Sequence, residues 1–152
     1  MNKIAWTIIV VLGIIIAILS WLLFTVQPSS PGGNATPTPP TAEPFESENV
    51  KIVSPLPGAR VAKTFTVTGQ ARGTWYFEAS FPVMVRDMND VVLASTFAQA
   101  QGEWMTPEFV PFTSSVSVTG AYSGPATLVL LKDNPSGLPE NDDSVSIPII
   151  IE

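Results

Sequence analysis

The sequence contains no cysteine and no histidine. Without cysteine there can be no disulfide, no zinc thiolate site, no thiol nucleophile and no lipid-modified cysteine at a membrane. Without histidine the commonest general base is missing, and with it the Ser-His-Asp arrangement and the usual catalytic zinc ligands. Charge is also scarce: 7 Lys and Arg against 13 Asp and Glu give a net charge of −6, and the basic residues after Lys3 are scattered. Nucleic acid, whose recognition leans on clustered Lys and Arg, is therefore excluded as a partner. These absences point to a non-enzyme with no cofactor, in which any folded part is held by its core alone.

What is present divides into an anchor, a tether and a domain. Residues 4–26 carry no charge over 23 positions, which at about 1.5 Å of rise per helical residue exceeds the roughly 30 Å hydrocarbon core of a bilayer. The run is longer than a signal peptide's apolar region and ends in "SWLLFTVQP" with no A-x-A-like site, so it reads as a retained signal anchor, although Gly33 and Ala35 offer a cleavage-like pattern further on. Lys3 precedes the span and no Lys or Arg follows until Lys51. This predicts a cytoplasmic end at residues 1–3 and an extracytoplasmic carboxyl-terminal part. Residues 27–48 hold Pro28, Pro31, Pro37, Pro39, Pro40 and Pro44 among Ser, Thr and Gly, a composition that favours an extended, solvated linker.

From residue 49 to 152 apolar residues alternate with polar ones at period two, and no stretch keeps helical spacing for three turns. The expectation is all-β. "TFTVTGQA" sets Phe65, Val67, Gly69 and Ala71 opposite a row of threonines; "VVLASTFA" follows the "DMND" turn as the second arm of a hairpin; "SSVSV", "ATLVLLK" and "SVSIPIII" supply further strands. About seven short strands favour an immunoglobulin-like antiparallel β-sandwich, with a small Greek-key barrel as the alternative. In "WYFEASFPVMVR", Trp75, Phe77, Phe81, Val83 and Val85 share one parity and Tyr76, Glu78, Ser80 and Arg86 the other. One strand is predicted through the whole segment, inward on the first set, with a bulge or an edge near Pro82.

The runs "IVSPLPGARVAKTFTVTGQA", "WYFEASFPVMVRD", "GEWMTPEFVPF" and "KDNPSGLPENDDSVSIPIII", in that order over residues 50–151, resemble the bacterial spore germination immunoglobulin-like domain family. The resemblance implies an extracytoplasmic β-sandwich found in envelope proteins, without catalytic activity or cofactor.

Candidate partner-binding residues fall in two places. Trp104 and Met105, flanked by Glu103 and Glu108, occupy an irregular, proline-bounded segment of the kind that carries binding residues; Trp104 could stack on a sugar or pack on a protein, or plug one end of the sandwich. Tyr76 and Glu78 form a second candidate patch on the outward parity. The acidic loop at 133–143 has oxygen ligands but not the spacing of a calcium loop, and reads as a solvated turn. The combined expectation is a membrane-anchored extracytoplasmic module, held by residues 4–26, for interaction with an envelope protein or cell-wall polymer. The alternative is a passive spacer or assembly subunit with no specific ligand.

Overall fold

In the computed structural model, residues 43–152 are described. The expected cytoplasmic end, the anchor at 4–26 and most of the linker lie outside them. Among the described residues no helix is long and apolar enough to cross a membrane.

The chain forms nine strands: β1 (Phe45–Glu46), β2 (Val50–Ser54), β3 (Arg60–Val61), β4 (Thr64–Arg72), β5 (Ser80–Asp87), β6 (Val92–Ala100), β7 (Phe109–Ser117), β8 (Gly124–Leu131) and β9 (Ser144–Ile151). Seven have five or more residues, as the alternation predicts. They lie in one curled sheet, in the order β1-β2-β4-β7-β6-β5-β8-β9-β3. Every pairing is antiparallel except β3 with β9. Two separate sheets are expected of a sandwich; here the two halves stay joined because β6 and β7 keep a short ladder, Gln99 with Thr113 and Ala100 with Phe112.

One core fills the space between the halves. Val50, Ile52, Val67, Ala71, Val110, Phe112 and Val116 come from one half and Phe81, Val83, Val85, Leu128, Leu130, Ile147 and Ile149 from the other, all buried. The rings of Phe81 and Phe112 meet across the middle at 5.0 Å, edge to face. Gly69 makes room for this contact, since a Cβ there would lie 2.8 Å from Cζ of Phe112. Among the described residues, the buried core residues run from Val50 to Ile151.

The fold begins earlier than residue 49. β1 pairs with β2, Phe45 is half-buried against the core, and Ser47 closes the turn with bonds to and from Val50. The last residues assigned to the linker therefore belong to the domain.

Prolines inside strands are tolerated because of ladder parity. The bond from Ala100 N to Ala79 O, 2.8 Å, sets the alternation of the β5–β6 ladder: even-numbered β6 residues from 94 turn their backbone groups toward β5 and odd-numbered ones away. Pro82, opposite Phe97, thus points its missing N–H toward β8, whose ladder with β5 begins only at Val83. Pro111 and Pro148 turn their carbonyls to Gln101 N and Gly58 N, away from their long ladders with β4 and β8. No bulge forms at Pro82; the register of β5 and β6 steps between Val85 and Arg86 instead, leaving Leu93 as the extra residue.

Candidate functional site

The segment before β5 departs from the single long strand. Residues Gly73–Trp75 form a 3-10 turn, and Phe77 and Ser80 then bond reciprocally, N to O at 3.0 and 3.1 Å, around Glu78 and Ala79. Both central residues have positive φ, 48° and 64°, as in a type I′ hairpin turn. A turn with this handedness breaks period two, so the parity assignment fails between 75 and 79. Trp75 and Tyr76 are both buried, at 1% and 4% exposure, whereas Phe77 is 42% exposed. Phe77 is therefore not a core residue, and Tyr76 is not on an outward face.

Trp75 and Tyr76 close the end of the core. Their rings pack edge to face on Phe81, at 5.9 and 5.1 Å. The Tyr76 hydroxyl donates to Val110 O at 2.8 Å. Burial pushes this phenol well above its ordinary range, an effect the Ala71 backbone opposes only in part. Tyr76 is thus a neutral wall of the site.

Four connections meet at this end. Arg72 N donates to Asn49 O (2.9 Å), Gly73 N to Glu108 O (3.0 Å) and Asp133 N to Trp75 O (3.0 Å), and Asn49 Nδ2 reaches Asp143 Oδ2 at 3.1 Å. Gly73 is required by close approach: a Cβ there would fall 1.9 Å from Thr106 O and 2.3 Å from Trp104 O. The 101–108 connection is consequently laid directly on the 3-10 turn, and a shallow recess of about 390 Å³ opens between them, lined by Gly73, Thr74, Tyr76, Trp104, Met105, Thr106 and Pro107.

Trp104 lies between the core and the recess. It is half-buried and packs on the core, and it also lines the recess. Met105 beside it is 75% exposed. The loop is held by its own side chains: Glu103 Oε1 accepts from Met105 N at 3.0 Å and Thr106 Oγ1 from Glu108 N at 3.3 Å. Glu108 turns toward Arg72, 3.9 Å away, whose guanidinium stacks on Phe109 at 4.1 Å. Glu103 and Glu108 therefore border the recess without lining it. Glu78 is exposed at its own turn and does not line this recess with Tyr76. Nor does the structure gather the rest of that patch: Arg86 is at the far end of β5, bonded to Asp90 at 3.0 Å.

A second recess of about 280 Å³ adjoins the first across Thr74 and Tyr76; Phe77, Lys132, Asn134 and Ser136 are among the residues lining it. Sequence reasoning missed this contribution from the β8–β9 connection. Its polar groups satisfy one another, Asn134 Nδ2 donating to Leu138 O (2.8 Å) and Asp142 Oδ1 (2.7 Å), and Asn141 Nδ2 to Ser136 Oγ (3.0 Å). Among the described residues no three Asp or Glu side chains are grouped to hold a metal ion.

A curled, mostly antiparallel sheet closed round one core, with its connections gathered into loop clusters at the ends, is the architecture of an immunoglobulin-like domain. The match to the immunoglobulin-like domain of bacterial spore germination spans residues 49–138, and the chain belongs to that family. The matched residues include the whole Trp104 recess and stop within the β8–β9 connection, before β9, which the resemblance read from the sequence also covered. No curated protein and no solved structure matches the chain.

Proposed function

We propose that this chain is a membrane-anchored, extracytoplasmic interaction module of the bacterial envelope, and that the recess between the 3-10 turn and the 101–108 loop receives its partner, an envelope protein or a cell-wall polymer. The uncharged run at 4–26 supplies the anchor and the proline-rich residues after it the reach. Family membership supports a bacterial immunoglobulin-like module. The observation that carries the site is the pairing of a half-buried Trp104 with a 75% exposed Met105 over a concave surface. Apolar side chains held at a rigid rim beside a few hydroxyls suit recognition. Catalysis is disfavoured, because Tyr76 is the only titratable side chain lining the recess and its hydroxyl is already engaged.

The test is retention of residues 43–152 on isolated cell wall and on immobilised envelope extract. Met105→Ser should weaken retention at least tenfold while leaving the melting temperature unchanged, since the side chain is mostly in solvent. Trp104→Ala should weaken it as strongly and also lower stability by about 1–3 kcal/mol, the range for losing part of a buried ring's packing. Retention that neither substitution alters would reject the recess, and no retention at all would leave the spacer reading in place.

A further inference from the structure

The edges of the curled sheet are not equally protected. A strand edge offers a row of free backbone N–H and C=O groups, and proteins blunt such rows by shortness, charge, proline or a cover. β1 and β3, at the two ends of the strand order, have two residues each and carry ion pairs, Glu46 with Lys51 and Arg60 with Glu152. β9 extends past β3, but Pro148 lies on that open side and Asp142 and Asp143 flank its start. β6 has none of these devices apart from the bulge at Leu93 and the cover that the buried Ser114 of β7 gives the Phe97 carbonyl. On the side away from β5 it pairs with β7 only through Gln99 and Ala100, so residues 92–98 have no strand partner there among the described residues.

Composition sets this edge apart as well. Residues 91–102 contain no charged side chain, in a chain of net charge −6. Phe97 is 54% exposed and Val92 49%, continuous with Val91 and Met88 at the hairpin tip. By the ladder parity, Ser95 and Phe97 turn their N–H groups to the open side; only the Phe97 carbonyl is engaged there, by the Ser114 hydroxyl at 3.0 Å. The nearest preceding charge, Asp90, is already paired with Arg86.

We propose that β6 is the edge through which two copies of this chain associate, paired antiparallel about a two-fold axis, so that the sheet runs on from one copy into the other. A second copy suits this edge for two reasons. Antiparallel pairing of a strand with itself is self-complementary, each residue meeting its reciprocal partner. The charge-free stretch is also where two chains of net charge −6 can touch without placing like charges opposite each other, while a charged partner would find no counter-charge. In this arrangement Phe97 and its counterpart lie on the same face of the joined sheet, where cross-strand apolar contacts stabilise pairing.

The absence of cysteine makes the test direct. Ser95→Cys in the full chain, purified in detergent, should give a dimer with a short bismaleimide. Gln70→Cys, exposed on β4 and paired both with Lys51 of β2 and with Pro111 of β7, should give at least fivefold less. Adding Phe97→Lys to Ser95→Cys should return the yield to the Gln70→Cys level without changing the melting temperature. Equal cross-linking of the two cysteine variants would overturn the proposal independently of how Phe97→Lys folds, and so would cross-linking of Ser95→Cys in envelopes solely to a different protein.

Discussion

Trp75 and Phe77, two positions apart, sit in opposite environments, one ring sealed in the core and the other in contact with solvent. Alternation places both rings inward, and for Trp75 the conclusion holds although its reason does not: the ring is buried from a 3-10 turn, not from a strand. Phe77 differs because Glu78 and Ala79 adopt positive φ without glycine or asparagine to announce the turn. Trp75→Ala should therefore cost about 3–5 kcal/mol, the usual range for deleting a buried aromatic ring, whereas Phe77→Ala should cost under about 1 kcal/mol, as surface substitutions do. Urea midpoints of the two variants separate these outcomes. Tyr76 gives a prediction in pH. Its phenol is pushed up by burial, so in the folded state it stays neutral where the unfolded chain, with a pKa of about 10, begins to ionise. The contribution is fully present below that value and is lost as pH rises above it. The melting temperature should fall above pH 10, and Tyr76→Phe should flatten the fall while lowering stability at neutral pH by about 1 kcal/mol for the lost bond to Val110. An unchanged alkaline slope would refute the assignment.

Among the elements, the strands were the most legible and their edges the least. The hairpin around "DMND" forms because Asp87 Oδ1 accepts from both Asn89 N (2.8 Å) and Val91 N (2.9 Å), the local chemistry that marks Asp as a turn former. The Trp104 segment was legible as irregular and proline-bounded. Its role as one wall of a recess was not, because the other wall comes from Gly73, which depends on a close approach between residues some thirty positions apart in sequence. The sequence at Pro82 allows a bulge or an edge, and the structure gives the edge, because the nitrogen of Pro82 faces the stretch that β8 leaves unpaired; parity relative to two neighbours decides this, and a sequence does not name those neighbours. The same parity supplies a test. Thr96 points its N–H into the ladder with Val83, so Thr96→Pro should destabilise by at least about 2–3 kcal/mol, the penalty for stranding a buried carbonyl. Ser95→Pro, one residue away with its N–H on the open side, should stay within about 1 kcal/mol of the parent. Equal losses in thermal melts would show that the alternation has been assigned wrongly.

Across the described residues as a whole, stability rests on one apolar core with neither disulfide nor grouped metal ligands, and each of the four ion pairs has at least one partner more than half exposed. Exposed pairs add little, roughly 0–1 kcal/mol each, so the domain's boundaries should be set by where burial ends. Composition placed that boundary at residue 49, where the prolines give out; packing places it at Phe45, whose half-buried ring covers the core beside β2. A single phenylalanine after six prolines carries no periodicity, which is why the sequence does not reveal it. Residues 43–152 should therefore melt as the full chain does, and residues 49–152 should be less stable by about 1–2 kcal/mol, most of the transfer free energy of one phenylalanine side chain. Phe45→Ala within residues 43–152 should reproduce most of that loss, because the ring, not the two-residue ladder, covers the core. If the shorter fragment instead matched the longer in urea midpoint, β1 would be an ornament on the sheet edge and the domain would begin at β2.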